Sequence, residues 1–253
     1  MTGEVFKSAF TAAVWLLLLL FVACDEKSGA SVASSEKSEA PEAKVEKPVH
    51  SAKPSQPKSL EKEVAEKEIK ADIDASFSEI GKADGIATDI KYATKDNFTK
   101  KIIYPCGRCY LRPEAAQRIK KANEWLRKEH KLGLKMFDCY RPRPAQQRLW
   151  DVVPDPDYVT PPAKGSMHNR GLAVDLTLVD ANGKELNMGT PYDFFGVEAH
   201  TDNTALPAEV LKNRKLLQQA LVAQGFSGIR TEWWHFSLNM SAPLSDWEWP
   251  CNK

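Results

Sequence analysis

The sequence lacks an apolar stretch that is long enough to span a bilayer. Its most apolar segment runs from Ala9 to Ala23, whereas a transmembrane helix needs about 20 apolar residues. The segment has instead the length of the apolar region of a secretory signal peptide, which is roughly 7–15 residues. Cys24 and a charged triplet follow it directly. We therefore expect residues 1–23 to be an export signal, and an uncleaved signal anchor is the alternative.

An excess of charge of one sign is also missing. The chain has 35 basic and 34 acidic residues, which gives a formal net charge of +1. A chain that binds nucleic acid is expected to carry a basic run or patch. The balance of charge therefore predicts no nucleic-acid partner.

Residues 25–72 contain almost no aliphatic or aromatic side chains and are rich in Lys, Glu, Ser, Ala and Pro. Such a segment cannot bury enough apolar surface to offset the entropy lost on ordering. We predict that residues 24–72 form a disordered tether. Residues 73–253 then form one domain of ordinary size.

The end of the apolar segment, Phe21-Val22-Ala23-Cys24, resembles the lipobox of bacterial lipoproteins. The resemblance implies that Cys24 is acylated and becomes the new N-terminus. Two or three acyl chains would hold the protein firmly at a membrane, since one chain alone binds only marginally. We expect an exported protein that is anchored to a cell-envelope membrane and whose domain lies in the periplasm. The choice between inner and outer membrane stays open.

Four further cysteines are present: Cys106, Cys109, Cys139 and Cys251. An even number in an exported protein predicts disulfides, for which four cysteines permit three pairings. Cys106 and Cys109 could instead form a metal or redox pair, but a thiolate zinc site would need a second closely spaced pair. We predict two structural disulfides and leave the pairing open.

Hydrophobic periodicity predicts three helices and several strands. The first helix begins at Pro113 and is ended by Gly133, and the last strand covers Ile229 to Leu238. The clearest strand is Leu172 to Asp180, in which apolar residues share one face while Asp175 lies on the other. A few helices mixed with hairpin-type strands indicate a single α+β domain.

Two short motifs carry the residue types of a metal site. Residues 166–175 have the form S-x-H-x-x-G-x-A-x-D, and residues 232–235 have the form E-x-W-H. Catalytic zinc sites use three protein ligands and leave the fourth position to water. His168, Asp175 and His235 fit that number, and Glu232 can reach the water without binding the metal. Glu232 and His235 would face opposite sides of a regular strand, so we expect a bulge or bend between them.

These motifs, together with Asp138-Cys139-Tyr140-Arg141-Pro142, resemble those of the D-alanyl-D-alanine dipeptidases. The match covers about residues 90–238. It implies one zinc ion per chain held by the three predicted ligands, Glu232 as general base and acid, and Arg141 as the group that stabilises the oxyanion. It also implies a hedgehog or DD-peptidase type of fold, with a central antiparallel sheet flanked by helices.

The same resemblance covers the substrate. The segment M-G-T-x-x-D at residues 188–193 implies that Asp193 holds the substrate ammonium, and Ser166 would add a hydrogen bond at that end. The implied reaction is hydrolysis of the dipeptide D-alanyl-D-alanine in cell-wall peptide metabolism. The alternatives are a D,D-carboxypeptidase that trims peptidoglycan stem peptides and a catalytically silent lipoprotein that binds the envelope.

Overall fold

The computed structural model describes residue 74 and residues 76–251. The predicted export signal, Cys24 and the whole of the predicted tether lie outside these residues. Among the helices of the described part, none has the length and apolar character needed to cross a membrane.

The described residues form seven short strands and three α-helices. In chain order these are β1 (Ser78–Ile80), β2 (Ala87–Thr88), β3 (Cys109–Leu111), α1 (Pro113–His130), β4 (Gly133–Asp138), α2 (Arg143–Trp150), β5 (Ala173–Val179), α3 (Ala208–Val222), β6 (Phe226–Gly228) and β7 (His235–Leu238). This order confirms the predicted α+β class.

Five strands form the central sheet, in the order β2-β4-β5-β7-β6. Its pairs are antiparallel, as predicted, except that the short edge strand β2 lies parallel to β4. Strands β1 and β3 form a separate antiparallel pair. Helices α1 and α3 pack against each other, α1 against β4, and α3 against β5 and β6.

Helix α1 begins as predicted and ends earlier. Pro113 lies in its first turn, where a missing N–H costs no hydrogen bond. The helix stops at His130 because Lys131 takes a left-handed conformation, with φ of 59°, while its N–H still reaches the carbonyl of Leu126. Gly133, predicted to end the helix, is instead the first residue of β4.

The predicted final strand from Ile229 to Leu238 is confirmed for His235–Leu238 and wrong for residues 229–234. The chain forms the hairpin β6–β7, in which Gly228 pairs with Phe236, and residues 229–234 are the loop between the strands. The bend expected between Glu232 and His235 is therefore a complete reversal of the chain. Glu232 lies in the loop, and His235 opens β7.

The register of the sheet brings polar residues together. Asp138 of β4 pairs with Asp175 of β5, and Asp175 pairs with His235 of β7. Directly paired residues on neighbouring strands lie on the same face. The next pair, Val174 and Phe236, lies on the other face and within the apolar core. One face of the sheet therefore carries a row of three polar side chains.

The cysteines form two disulfides, Cys106–Cys251 and Cys109–Cys139. This confirms the prediction of two disulfides and settles the pairing. The alternative of a metal or redox pair between Cys106 and Cys109 is wrong.

Candidate metal centre and its cleft

The three predicted ligands meet at one point. The Nε2 atom of His168 lies 3.1 Å from Nδ1 of His235 and 3.3 Å from Oδ1 of Asp175, and that oxygen lies 3.0 Å from Nδ1 of His235. A tetrahedral zinc ion with bonds of about 2.0–2.1 Å keeps its ligand atoms about 3.3 Å apart. The geometry and the donor types therefore fit a zinc ion.

The ring of His168 is oriented by the main chain. His168 opens a short 3-10 turn, and its Nδ1 lies 2.7 Å from the carbonyl oxygen of Cys139. A carbonyl can only accept, so Nδ1 carries a proton and donates it to Cys139, which leaves Nε2 as the ring atom available to a metal ion. Gly171 ends the turn with φ of 69°, and a Cβ there would lie 2.7 Å from the ring of Phe77. The glycine of the motif is therefore required by both conformation and space.

Asp175 is held between the two imidazoles. Its second oxygen, Oδ2, accepts a hydrogen bond of 3.0 Å from the Tyr192 hydroxyl. Burial favours the protonated acid, but His168 and His235 outweigh it and hold the pKa of Asp175 well below its usual range. Asp175 is therefore an ionised carboxylate, as a metal ligand must be.

Glu232 lies beside these donors and outside their triangle. Its Oε2 is 4.0 Å from Nδ1 of His235. Burial raises the pKa of Glu232 to about 7; the charge of Asp175 acts in the same direction, while His235 and Arg141 oppose it. A carboxyl group with this pKa can both take and return a proton near neutral pH, which suits a general base.

Arg141 follows β4 and is fixed by a buried carboxylate. Its Nε and Nη2 donate to Oδ2 of Asp138 at 3.0 and 2.6 Å, and Nη1 donates to Gln146 at 3.0 Å. Burial alone would lower the pKa of Arg141, but Asp138 raises it well above its usual value. The hydroxyl of Tyr104 donates to the other oxygen of Asp138 at 2.7 Å. The guanidinium is therefore charged and held in one orientation.

The role of Asp138 in fixing Arg141 was not predicted from the sequence. Its place three residues before Arg141 in the same motif is the signal that could have shown it. Tyr92 and Tyr104 were also missed, because they are distant in the chain and no motif marks them. Tyr192 lies inside the M-G-T-x-x-D segment, but at a position that the motif leaves open.

Asp193 stands in the same cleft on a loop. Its Oδ2 and Oδ1 lie 3.1 and 3.4 Å from the Tyr92 hydroxyl, and its φ is 56°. Burial, and then the charge of Asp175, raise the pKa of Asp193 well above its usual value. A non-glycine residue in this left-handed conformation is uncommon and persists where the surroundings hold it. Among the described residues none forms an ion pair with Asp193, and the charge of Arg141 offsets the rise in its pKa only in part.

Ser166 is placed by its neighbour Asn169. Its N–H and its hydroxyl both approach Oδ1 of Asn169, at 2.7 and 3.1 Å. The side-chain amide of Asn169 donates in turn to the carbonyl of Arg141 at 2.7 Å. Ser166 is thus fixed at the wall of the cleft by the turn that carries His168.

All of these groups open into one cleft of about 560 Å³. A volume of this size suits a small-molecule ligand. The cleft is lined by every predicted site residue of the domain: Arg141, Ser166, His168, Asp175, Asp193, Glu232 and His235.

Three nitrogen and oxygen donors, a carboxyl group beside them and a fixed guanidinium define the site of a metal-dependent hydrolase. The family model Peptidase_M15, described as D-ala-D-ala dipeptidase, matches residues 77–250. The chain belongs to this family, which confirms the family predicted from the motifs.

Two relatives carry the name D-alanyl-D-alanine dipeptidase. The protein of Escherichia coli (strain K12) is 40% identical over 154 residues, which cover 61% of this chain and 79% of the relative. The protein of Enterococcus faecium is 33% identical over 175 residues, which cover 61% of this chain and 86% of the relative. A solved D,D-pentapeptidase from a VanB-type vancomycin resistance cassette, in complex with Zn(II), matches 51% of this chain and 73% of that chain, with 14% identity and a TM-score of 0.35.

Proposed function

We propose that this protein is a zinc peptidase that hydrolyses the dipeptide D-alanyl-D-alanine. The observation that carries the proposal is the triangle of His168, Asp175 and His235, whose donor atoms lie 3.0–3.3 Å apart with Glu232 beside them. Membership of the family and the names of the two relatives support the substrate.

One zinc ion per chain is the metal we propose. Two imidazoles and a carboxylate without a thiolate are a usual ligand set for catalytic zinc. Among residues 74 and 76–251, His168, Asp175 and His235 are the group of three that could hold an ion. A zinc ion bound there would act as a Lewis acid and lower the pKa of a water molecule toward about 7.

Glu232 is the group we propose for proton transfer, and Arg141 is the group we propose to stabilise the oxyanion. Glu232, whose carboxyl group lies beside the metal donors, takes a proton from the attacking water and later gives it to the leaving amine. The guanidinium of Arg141, fixed by Asp138, stabilises the negative charge that develops on the carbonyl oxygen. The Arg141 side chain does not need to reorganise during the reaction, because Asp138 and Gln146 already hold it at the cleft.

Asp193 is the group we propose for the substrate ammonium. It is half-buried and its raised pKa favours the uncharged acid, so an incoming ammonium would restore its ionised form. Ser166 is proposed to add a hydrogen bond at the same end. A group that binds a free ammonium favours a dipeptidase. The stem-peptide substrate of a D,D-carboxypeptidase has no free ammonium next to the bond that is cut. The intact set of ligands, base and arginine favours an enzyme over a silent binding protein.

Export and lipid anchoring at Cys24 are proposed from the sequence. Residues 1–23 would be the signal, residues 24–72 the tether and residues 73–253 the catalytic domain, located in the periplasm. Two disulfides in a chain of this size support the proposal, because such bonds persist mainly in oxidising compartments.

Hydrolysis of a panel of D,D, L,L and L,D dipeptides tests the function, with and without a chelator. We expect turnover of D-alanyl-D-alanine that the chelator abolishes and added zinc restores. Glu232→Gln should keep its zinc and lose turnover. Faster release of D-alanine from a stem pentapeptide than from the dipeptide would favour the carboxypeptidase instead.

A further inference from the structure

We infer that the Cys109–Cys139 disulfide positions the metal centre, because it fixes the stretch of main chain that orients both His168 and Arg141. The inference rests on the proposed zinc site and extends it to a feature that lies outside the two metal motifs. The disulfide joins β3 to the residue directly after β4.

The contact to the metal ligand is made by the main chain of Cys139. Its carbonyl oxygen accepts the hydrogen bond of 2.7 Å from Nδ1 of His168. The position of this oxygen therefore decides both the tautomer and the direction of the imidazole. Partners of this kind, one step removed from the metal, commonly change metal affinity by about 10–100-fold when they are lost.

The segment that holds this carbonyl, residues 139–142, belongs to neither a strand nor a helix. It is tied to the turn of His168 by two further hydrogen bonds, from Arg141 N–H to His168 O at 3.1 Å and from the Asn169 side chain to Arg141 O at 2.7 Å. These bonds join the two parts of the site to each other. They do not fix either part to the rest of the fold.

Strand β3 supplies that fixed reference. The disulfide attaches Cys139 to Cys109, and Tyr140 N–H donates to Tyr110 O at 2.8 Å. At the end of the same strand, Arg112 N–H donates to Gly171 O at 2.9 Å, and Gly171 closes the turn of His168. β3 is therefore bonded both to residues 139–142 and to the turn of His168. The disulfide is the covalent bond between β3 and residues 139–142.

The second disulfide offers a matched control. Cys106–Cys251 closes a separation of 145 residues, whereas Cys109–Cys139 closes 30. A disulfide that acts only through the entropy of the unfolded chain stabilises more when its loop is longer. A purely structural role therefore predicts the larger loss of stability for Cys106–Cys251 and an equal, unchanged metal affinity for both. A positioning role predicts weaker metal binding only when Cys109–Cys139 is removed.

The test compares the wild-type full chain with the double variants C109A/C139A and C106A/C251A. Zinc affinity is measured by competition with a chromogenic chelator, the Co(II)-substituted site by its visible spectrum, and stability by thermal unfolding of the metal-free proteins. We expect C109A/C139A to bind zinc about 10–100-fold more weakly, with a changed Co(II) spectrum. C106A/C251A should keep the wild-type affinity and spectrum and show the larger fall in Tm.

Equal zinc affinity and equal Co(II) spectra in both variants would overturn the inference. So would a loss of affinity that follows the loss of Tm in both. If C109A/C139A does not fold, C109V/C139A keeps more of the volume of the two sulfur atoms without the bond and is measured in its place. A wild-type protein that binds no zinc would instead overturn the proposed function, which separates the two failures.

Discussion

The carboxylates of one cleft behave in opposite ways. Asp175 lies on a strand between two imidazoles, and these neighbours hold its pKa well below the usual range. Asp193 and Glu232 lie on loops, and burial raises the pKa of each. Asp175 is buried and the other two are half-buried, so burial alone would raise the pKa of Asp175 as well, and its two imidazole neighbours decide the difference. The low pKa of Asp175 suits a permanent cation ligand. The raised pKa values of Asp193 and Glu232 suit groups that bind a cation or a proton only during the reaction.

The largest effect should come from substitution of a residue that contacts the strand carboxylate Asp175. We expect His168→Ala to weaken zinc binding by more than about 100-fold, because a ligand is lost together with its hydrogen bond to Cys139. Dipeptide hydrolysis should disappear with the metal. His130→Ala, at the exposed end of α1, is the control and should keep both. Stoichiometric zinc in His168→Ala would remove His168 from the ligand set.

Substitution of Arg141 tests the electrostatic stabilisation of the charge that develops on the carbonyl oxygen. Arg141→Lys cannot reproduce the two hydrogen bonds to Asp138, and we expect kcat to fall by about 10²–10³, or roughly 2.7–4 kcal/mol. Zinc content should not change. The exposed pair of Arg143 with Asp246 supplies the control Arg143→Lys, which should leave kcat close to the wild-type value.

Substitution of the loop carboxylate Asp193 tests the binding of the substrate ammonium. Asp193→Asn should raise the KM for D-alanyl-D-alanine by about 10–100-fold, since each tenfold step corresponds to about 1.4 kcal/mol of lost attraction. The N-acetylated dipeptide has no ammonium, so wild type and variant should handle it equally poorly. A fall in kcat with an unchanged KM would contradict the assignment of Asp193 to the ammonium.

The smallest effect concerns stability and pH. In the metal-free protein the pKa of Glu232 rises from 4.5 to about 7 on folding, so the folded state favours the protonated acid. The stabilising contribution is complete below pH 4.5 and is lost as the pH rises through 7. Glu232→Gln cannot ionise and therefore does not lose this contribution at high pH. Its gain in the free energy of unfolding over wild type should be larger at pH 8 than at pH 5, by on the order of 1 kcal/mol.

Urea titrations of the metal-free proteins at the two pH values measure this difference. Glu124→Gln, on the exposed side of α1, should show no comparable gain. A gain for Glu232→Gln that is equal at both pH values would show that burial does not hold Glu232 protonated.

Two disulfides were predicted from four cysteines, but the pairing had to come from the fold. The count and the expected compartment favour disulfides without choosing among three pairings. The choice depends on which Cα atoms lie within about 7 Å of each other. These separations are 6.0 Å for Cys106–Cys251 and 5.3 Å for Cys109–Cys139, and both are set by the folded chain.

The sequence by itself determined the class of fold, the helices and the three candidate metal ligands. Short-range patterns carry this information: helical spacing fixes α1, and the motif around His168 and Asp175 fixes residue types at set distances. The tertiary structure decided the reversal before His235, the clamp of Asp138 on Arg141 and the opposite pKa shifts of Asp175 and Asp193. Each of these depends on which charges, hydroxyls and carbonyls approach from distant parts of the chain, and local spacing does not contain that information.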